Sequence, residues 1–158
     1  MCKRSMLYLA GKGQYVSFAL PDLPQYTFTG WVKKYSDSYD ERQIFNTAYD
    51  KAGVTLYDNN SFLFFDGDYF TTFSPIESNT FYHIAVTNDG ATKRIYLNGI
   101  EENNGQASTG IESGPAAFGS DAYGNFRFFN GLFDEFKLFN KALSAENIKS
   151  LYRDEKPN

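Results

Sequence analysis

Residues 129–152 read FNGLFDEFKLFNKALSAENIKSLY and carry three signals in succession. Asn130-Gly131 is a turn pair, Leu132–Phe139 alternates like a strand, and a short helical pattern closes the chain. Ser144 suits a helix N-cap, and Ile148, Leu151 and Tyr152 recur at helical spacing. Leu143 and Ile148 occupy the two positions of a hydrophobic staple, and Arg153 complements the dipole at the helix end. Asn147 stands where Glu or Gln completes a capping box, so that motif is half present. Along the strand, one parity holds Leu132, Asp134, Phe136 and Leu138, and the other Phe133, Glu135, Lys137 and Phe139. Successive strand side chains point to opposite faces, so simple alternation puts Asp134 on the apolar face. A carboxylate there has to be neutralised, hydrogen-bonded or bound to a metal.

Upstream, short apolar runs alternate with turn residues. Met6–Leu9 and Tyr15–Leu20 flank Gly11-Lys12-Gly13, and Pro21 and Pro24 then break pairing. Tyr26–Tyr35 is the longest clear strand, with Tyr26, Phe28 and Val32 on one face and Thr27, Thr29 and Trp31 on the other. Trp31 therefore packs under a loop or the terminal helix, or forms part of an exposed platform. Ile44–Tyr49, Val54–Tyr57 and Ser61–Phe65 read as short strands, and Asp66-Gly67-Asp68 as a turn into Tyr69-Phe70. Phe81–Thr87 and Lys93–Leu97 form a hairpin across Asn88-Asp89-Gly90; Ile100–Ser113 is polar and reads as a solvated loop, with Ala116–Gly119 as one further short strand. Short strands spaced by turns predict an all-β sandwich or barrel.

The 158 residues suit a single domain, spanning 1–158. Aromatic residues make up 18%, with 16 Phe and 12 Tyr against a single Trp, a bias that favours strands packing broad flat side chains. A net charge of −4 argues against a nucleic-acid partner, and no apolar run has the length of a membrane span. Met1–Ser5 lacks the apolar core of a signal peptide, and the lone Cys2 excludes an internal disulfide.

Four segments carry a resemblance. Gly13–Ser17 is similar to an opening G-x-Y-V strand, and Tyr26–Val32 to an F-T-x-x-x-W-V strand. Phe81–Gly90 with Ile95–Gly99 resembles the hairpin W-x-H-I-A-V-T-x-D-G…L-Y-V-N-G, and residues 129–152 resemble F-x-G-x-I-D-E-V-x-I-Y-N-x-A-L-S-x-E-E-I-x-x-L-Y. Together they resemble the LamG-like, concanavalin A-like lectin/glucanase superfamily, in its laminin-G form. Phe81 stands where that family has Trp, and Asn147 where it has Glu. The resemblance implies an all-β, two-sheet antiparallel jelly-roll sandwich, one sheet concave, with a short C-terminal helix. It implies function only weakly, because the fold serves lectins, adhesion domains and some hydrolases.

No catalytic residue is assigned. The one histidine, His83, lacks any accompanying nucleophile motif, and the E-x-D-x-x-E run of laminarinase-like relatives is absent. Asp134 and Glu135 are adjacent and point to opposite faces, so they cannot flank one glycosidic bond. The resemblance implies a structural Ca²⁺ held by carbonyls near Gly11 and Gly13 together with Asp134; the alternative is an Asp134 that only accepts hydrogen bonds. Asp66-Gly67-Asp68 reads first as a turn and second as a cation site. A sugar site needs aromatic faces beside polar groups, and the candidates are Trp31, Tyr39, Tyr69 and Tyr123 with Asp66, Asp68, Asn125 and Arg127. Asn59-Asn60-Ser61 matches a glycosylation sequon. The expected role is a non-catalytic carbohydrate-binding or cell-surface recognition module, extracellular or surface-associated. The alternative is a structural or adhesion part of a larger assembly, such as an appendage or virion surface, that binds a surface protein.

Overall fold

The computed structural model describes residues 6–35, 42–57, 61–108 and 110–157. Among these, twelve strands build two six-stranded antiparallel sheets. The first sheet runs in the order β1 (Leu7–Ala10), β12 (Asn130–Phe139), β3 (Tyr26–Lys34), β8 (Phe81–Asn88), β9 (Thr92–Leu97) and β10 (Ile100–Gln106). The second runs β2 (Val16–Leu20), β11 (Gly114–Phe118), β4 (Arg42–Thr47), β5 (Ala52–Tyr57), β6 (Ser61–Asp66) and β7 (Tyr69–Thr71). One helix, α1 (Ala145–Asp154), follows β12. This is the expected all-β jelly-roll sandwich with a short C-terminal helix.

The alternating pattern of each strand decides what the sheets bury. From β3 the side chains of Tyr26, Phe28 and Val32 enter the core, and from the facing sheet come Ile44, Phe45, Val54, Phe62 and Phe64. Phe28 stacks on Phe45 of the facing sheet with centroids 4.8 Å apart, which ties the two layers together, and within its own sheet Phe136 meets Phe28 edge-on at 5.3 Å. Each such side chain contributes about 1.5–3 kcal/mol through burial. Gly30 leaves the gap that Phe136 fills; a Cβ there would lie 1.9 Å from the ring.

The terminal helix covers the outer face of the first sheet. Ile148 and Leu143 pack with Ala85 and Tyr96, and the Thr27 hydroxyl accepts from the Leu143 amide at 2.8 Å. Ser144 Oγ accepts from the Asn147 amide at 3.2 Å, as a helix cap should. The Asn147 side chain accepts from Ser144 Oγ rather than reaching back to the cap amide, so the box stays half formed.

Three expectations are corrected. Asn130-Gly131 is not a turn but the start of β12, paired with Ala10 and Leu9. Gly131 is extended there, and a Cβ would meet the Lys33 carbonyl oxygen at 2.0 Å, so close backbone approach explains the glycine. Ile100–Ser113 is not all loop: residues 100–106 form the edge strand β10, because backbone ladder bonds to β9 need no apolar side chains.

The third correction concerns Asp134. It pairs with Trp31, but the ladder resumes only at Lys137↔Thr29, and Glu135 takes φ +51°. This bulge inserts an unpaired residue and shifts the parity of the strand. Phe133, and beyond the bulge Phe136 and Leu138, therefore face the core, while Asp134 stands with Trp31 on the outer face. The carboxylate is buried, but not among the core side chains it was expected to join.

Candidate functional site

The outer face of the second sheet carries a groove. In β5 and β6 the core takes Val54, Leu56, Phe62 and Phe64, so Thr55, Tyr57, Leu63 and Phe65 point away from it. Gln43 pairs with Thr55 and Tyr69 with Phe65, extending the same face in both directions. These side chains, with Asp50 and Arg127 at one end, line a groove of about 400 Å³. That volume lies within the roughly 300–1,000 Å³ of small-ligand sites. The Phe65 ring reaches over Gly53, where a Cβ would meet it at 2.5 Å, so the glycine shapes the floor.

The loop that follows β11 sets the polar end. Asp121 is buried and accepts from the amides of Asn125 at 2.6 Å, Phe126 at 2.9 Å and Tyr123 at 3.2 Å. The Ala122 amide donates to Asn46 Oδ1 at 3.1 Å, and Asn46 Nδ2 donates to Asp50 Oδ1 at 2.8 Å. Asp50 Oδ2 stands 3.7 Å from Arg127 Nη1. Tyr49, Asp50 and Arg127 all have left-handed backbones, at φ +58°, +51° and +60°. Such conformations are unfavourable for non-glycine residues and concentrate at functional positions. Tyr49 is 81% exposed and meets the half-exposed Tyr123 edge-on at 6.2 Å.

The predicted sugar residues divide. Tyr69, 70% exposed, and Arg127 line the groove. Tyr123 stands beside Tyr49 next to its end, and Asn125 serves the Asp121 turn. Asp68 is exposed; its carboxylate accepts from the Tyr69 amide at 2.7 Å. Of the two readings of Trp31, packing under the terminal helix holds, and its place among the sugar-site candidates is corrected: it is 1% exposed, with Tyr152 and His83 against its ring. Asp66 is likewise buried. Its carboxylate accepts from Tyr26 Oη and Asn88 Nδ2, each at 2.6 Å, and from Ser108 Oγ. Burial, and then Asp66, push the Tyr26 hydroxyl well above its usual pKa. The Asp66-Gly67-Asp68 turn is held by a lysine: Lys93 Nζ donates to the carbonyls of Asp66 at 2.7 Å and Asp68 at 2.9 Å. Tyr39 and the sequon's Asn59 and Asn60 lie outside the described residues.

The expected calcium clamp does not fit. Gly11 follows Ala10, which pairs with Asn130, so Asp134 lies four residues further along β12. At about 3.3 Å per residue that is roughly 13 Å, whereas one ion holds its oxygens at about 2.3–2.6 Å. Gly11, Gly13 and Asp134 cannot share an ion. Among the described residues, no group of three or more His, Cys, Asp or Glu is placed to hold a metal.

Six lining residues escaped the sequence reading: Gln43, Asp50, Thr55, Tyr57, Leu63 and Phe65. One signal was present. The unbroken apolar run Phe62–Phe65 places bulky side chains on both faces of β6, so its outer face is not an ordinary wet surface.

Two packed six-stranded antiparallel sheets closed by a short terminal helix make a jelly-roll β-sandwich. The chain belongs to the concanavalin A-like lectin/glucanases superfamily, whose family profile matches residues 10–149. A search of curated proteins finds no match. The heptameric SAP-like pentraxin of Limulus polyphemus superposes with a TM-score of 0.76 at 16% identity, covering 93% of this chain and 81% of that one. The receptor binding domain of botulinum neurotoxin C/D mosaic serotype superposes at 0.73 with 16% identity over 95% of this chain, which spans only 42% of that one. Domain 4 of AbnA, an extracellular arabinanase of Geobacillus stearothermophilus solved with arabinotriose, gives 0.68 and 23% identity, covering 94% and 81%. At these identities the likeness is one of fold. Among the described residues, no helix is long and apolar enough to cross a membrane.

Proposed function

We propose that this chain is a non-catalytic carbohydrate-binding module that takes an oligosaccharide in the groove of the second sheet, in an extracellular or surface setting. The observation that carries this reading is the pairing of exposed aromatic faces with polar groups in one trough. Tyr57 and Tyr69 offer rings to the apolar face of a sugar, and Gln43, Thr55, Asp50 and Arg127 surround the space its hydroxyls would enter. Gln43 adds a specific point. It is 1% exposed and its Oε1 has no hydrogen-bond partner, although buried amides are rarely left unsatisfied.

A non-catalytic role fits the carboxylates. Glycosidases use two, about 5–10 Å apart, and among the described residues lining the groove Asp50 is the only acid. A second reading, docking of a surface protein, has its own observation. On edge strand β10, Ile100 is 67% exposed, and nearby Phe73, 75% exposed, is held by Glu102, which accepts from its amide at 2.7 Å. Screening against immobilised glycans, followed by calorimetry, separates the two. Binding that is lost with Tyr69→Ala supports the module. Stoichiometric capture of a protein with no glycan bound overturns it.

A further inference from the structure

We infer that the ligand of this groove is an uncharged oligosaccharide gripped through two neighbouring hydroxyls by Asp50 and Arg127, and not an acidic one. The inference rests on the carbohydrate reading above and narrows its substrate class.

Three observations support it. First, Asp50 and Arg127 stand 3.7 Å apart, beyond ordinary hydrogen-bond distance, with side chains 55% and 31% exposed. Exposed ion pairs in such geometry contribute little to stability, so a ligand hydroxyl inserted between Asp50 Oδ2 and Arg127 Nη1 displaces little at that contact. Second, the chemistry is two-sided. Arg127 is a permanent donor and the ionised Asp50 only accepts. A pair of hydroxyls on adjacent ring carbons answers both, one donating to Asp50 Oδ2 and the other accepting from Arg127 Nη1. A uronate or sialate would be drawn to Arg127 but bring its own negative charge against Asp50. The chain's net charge of −4 adds to that repulsion.

Third, the pair is prepositioned. Asp50 Oδ1 is taken by Asn46 Nδ2, which fixes the carboxylate and turns Oδ2 toward Arg127. Both residues hold left-handed backbones, Asp50 at the end of the short turn Ala48–Asp50 and Arg127 beside β4, where its carbonyl accepts from the Gln43 amide at 3.0 Å. Two strained residues from separate loops thus meet at one end of the trough.

The test is calorimetric titration of the full chain with arabinotriose, cellotriose and mannotriose as neutral probes and trigalacturonate as the acidic one. The expected result is binding of at least one neutral trimer with no detectable trigalacturonate binding. Asp50→Asn should weaken the neutral ligand roughly tenfold or more, as for loss of a hydrogen bond to a charged group. Asparagine tolerates the left-handed backbone and can still accept from Asn46, so the variant tests the charge and not the fold. Arg127→Gln should act in the same direction, with unchanged Trp31 fluorescence as the folding control. Tight trigalacturonate binding that Asp50→Asn strengthens overturns the inference while leaving carbohydrate binding intact. So does neutral binding that Asp50→Asn leaves unchanged and Tyr69→Ala abolishes. No binding of any probe, on these trimers or on the wider glycan panel, sinks the carbohydrate reading and this inference with it.

Discussion

Trp31 lies nearly parallel to Tyr152, ring centroids 5.5 Å apart, so the terminal helix roofs the outer face of the first sheet with an aromatic contact. The same tryptophan meets His83 at 5.3 Å and sits across the ladder from Asp134. The polar-looking side of β3 is thus a second, smaller interior.

Removing the roof has a direct readout. Tyr152→Ala is expected to destabilise the fold by about 2 kcal/mol, below the range for fully buried aromatics because Tyr152 is only half-buried. Trp31 is the single tryptophan, so its emission should shift to the red as water reaches it. Denaturant titration followed by fluorescence measures both, and an unshifted spectrum would falsify the roof.

His83 should make stability depend on pH. Its Nε2 lies 2.8 Å from Thr29 Oγ1, and burial, with the Lys137 cation second, lowers its pKa from 6.5 to about 4. The unfolded chain therefore takes up the proton first as pH falls. The histidine's contribution is complete above about pH 6.5, declines toward pH 4 and is flat below, a loss of about 3 kcal/mol. His83→Gln should remove that part of the slope when unfolding free energies are compared across this window.

Lys93 is the internal cation of the Asp66-Gly67-Asp68 turn. Burial lowers its pKa, and the neighbouring Asp66 and Asp68 carboxylates oppose that effect. Lys93→Met leaves two carbonyls and a buried carboxylate without their cation, and a loss of about 3 kcal/mol is expected. Urea denaturation checks this. A neutral substitution would mean that Tyr26, Asn88 and Ser108 suffice to hold Asp66.

Because the β1–β12 register sets Gly11, next to Ala10, about four residues along β12 from Asp134, no ion joins the two and chelation should leave stability alone. The melting temperature is expected to be the same in EDTA and in excess calcium. A fall in EDTA that calcium reverses would reveal an ion held by other donors.

Much of the fold was legible in local patterns. Alternation in Tyr26–Tyr35 and Phe81–Thr87 gives β3 and β8, and the Asn98-Gly99 pair turns between β9 and β10 with both residues at positive φ. The Ser144 cap and the Leu143–Ile148 contact also appear as read. The site was legible only in part. Tyr69 and Arg127 were singled out, but the residues between them on the groove floor were not, since nothing local tells an outward Thr55 or Gln43 from any other strand residue.

The sequence by itself determined most of the strands, where the terminal helix starts and, outside the bulged β12, which faces are apolar, because those depend on neighbours within a few residues. The tertiary structure alone decided the rest. Whether Asp134 faces the core depends on one inserted residue at Glu135, visible only against the register of β3. Whether Trp31 is a platform depends on where α1 lands. The groove depends on bringing Gln43, Asp50, Thr55, Tyr69 and Arg127 together, up to 84 positions apart in the chain, through sheet order that no local pattern encodes.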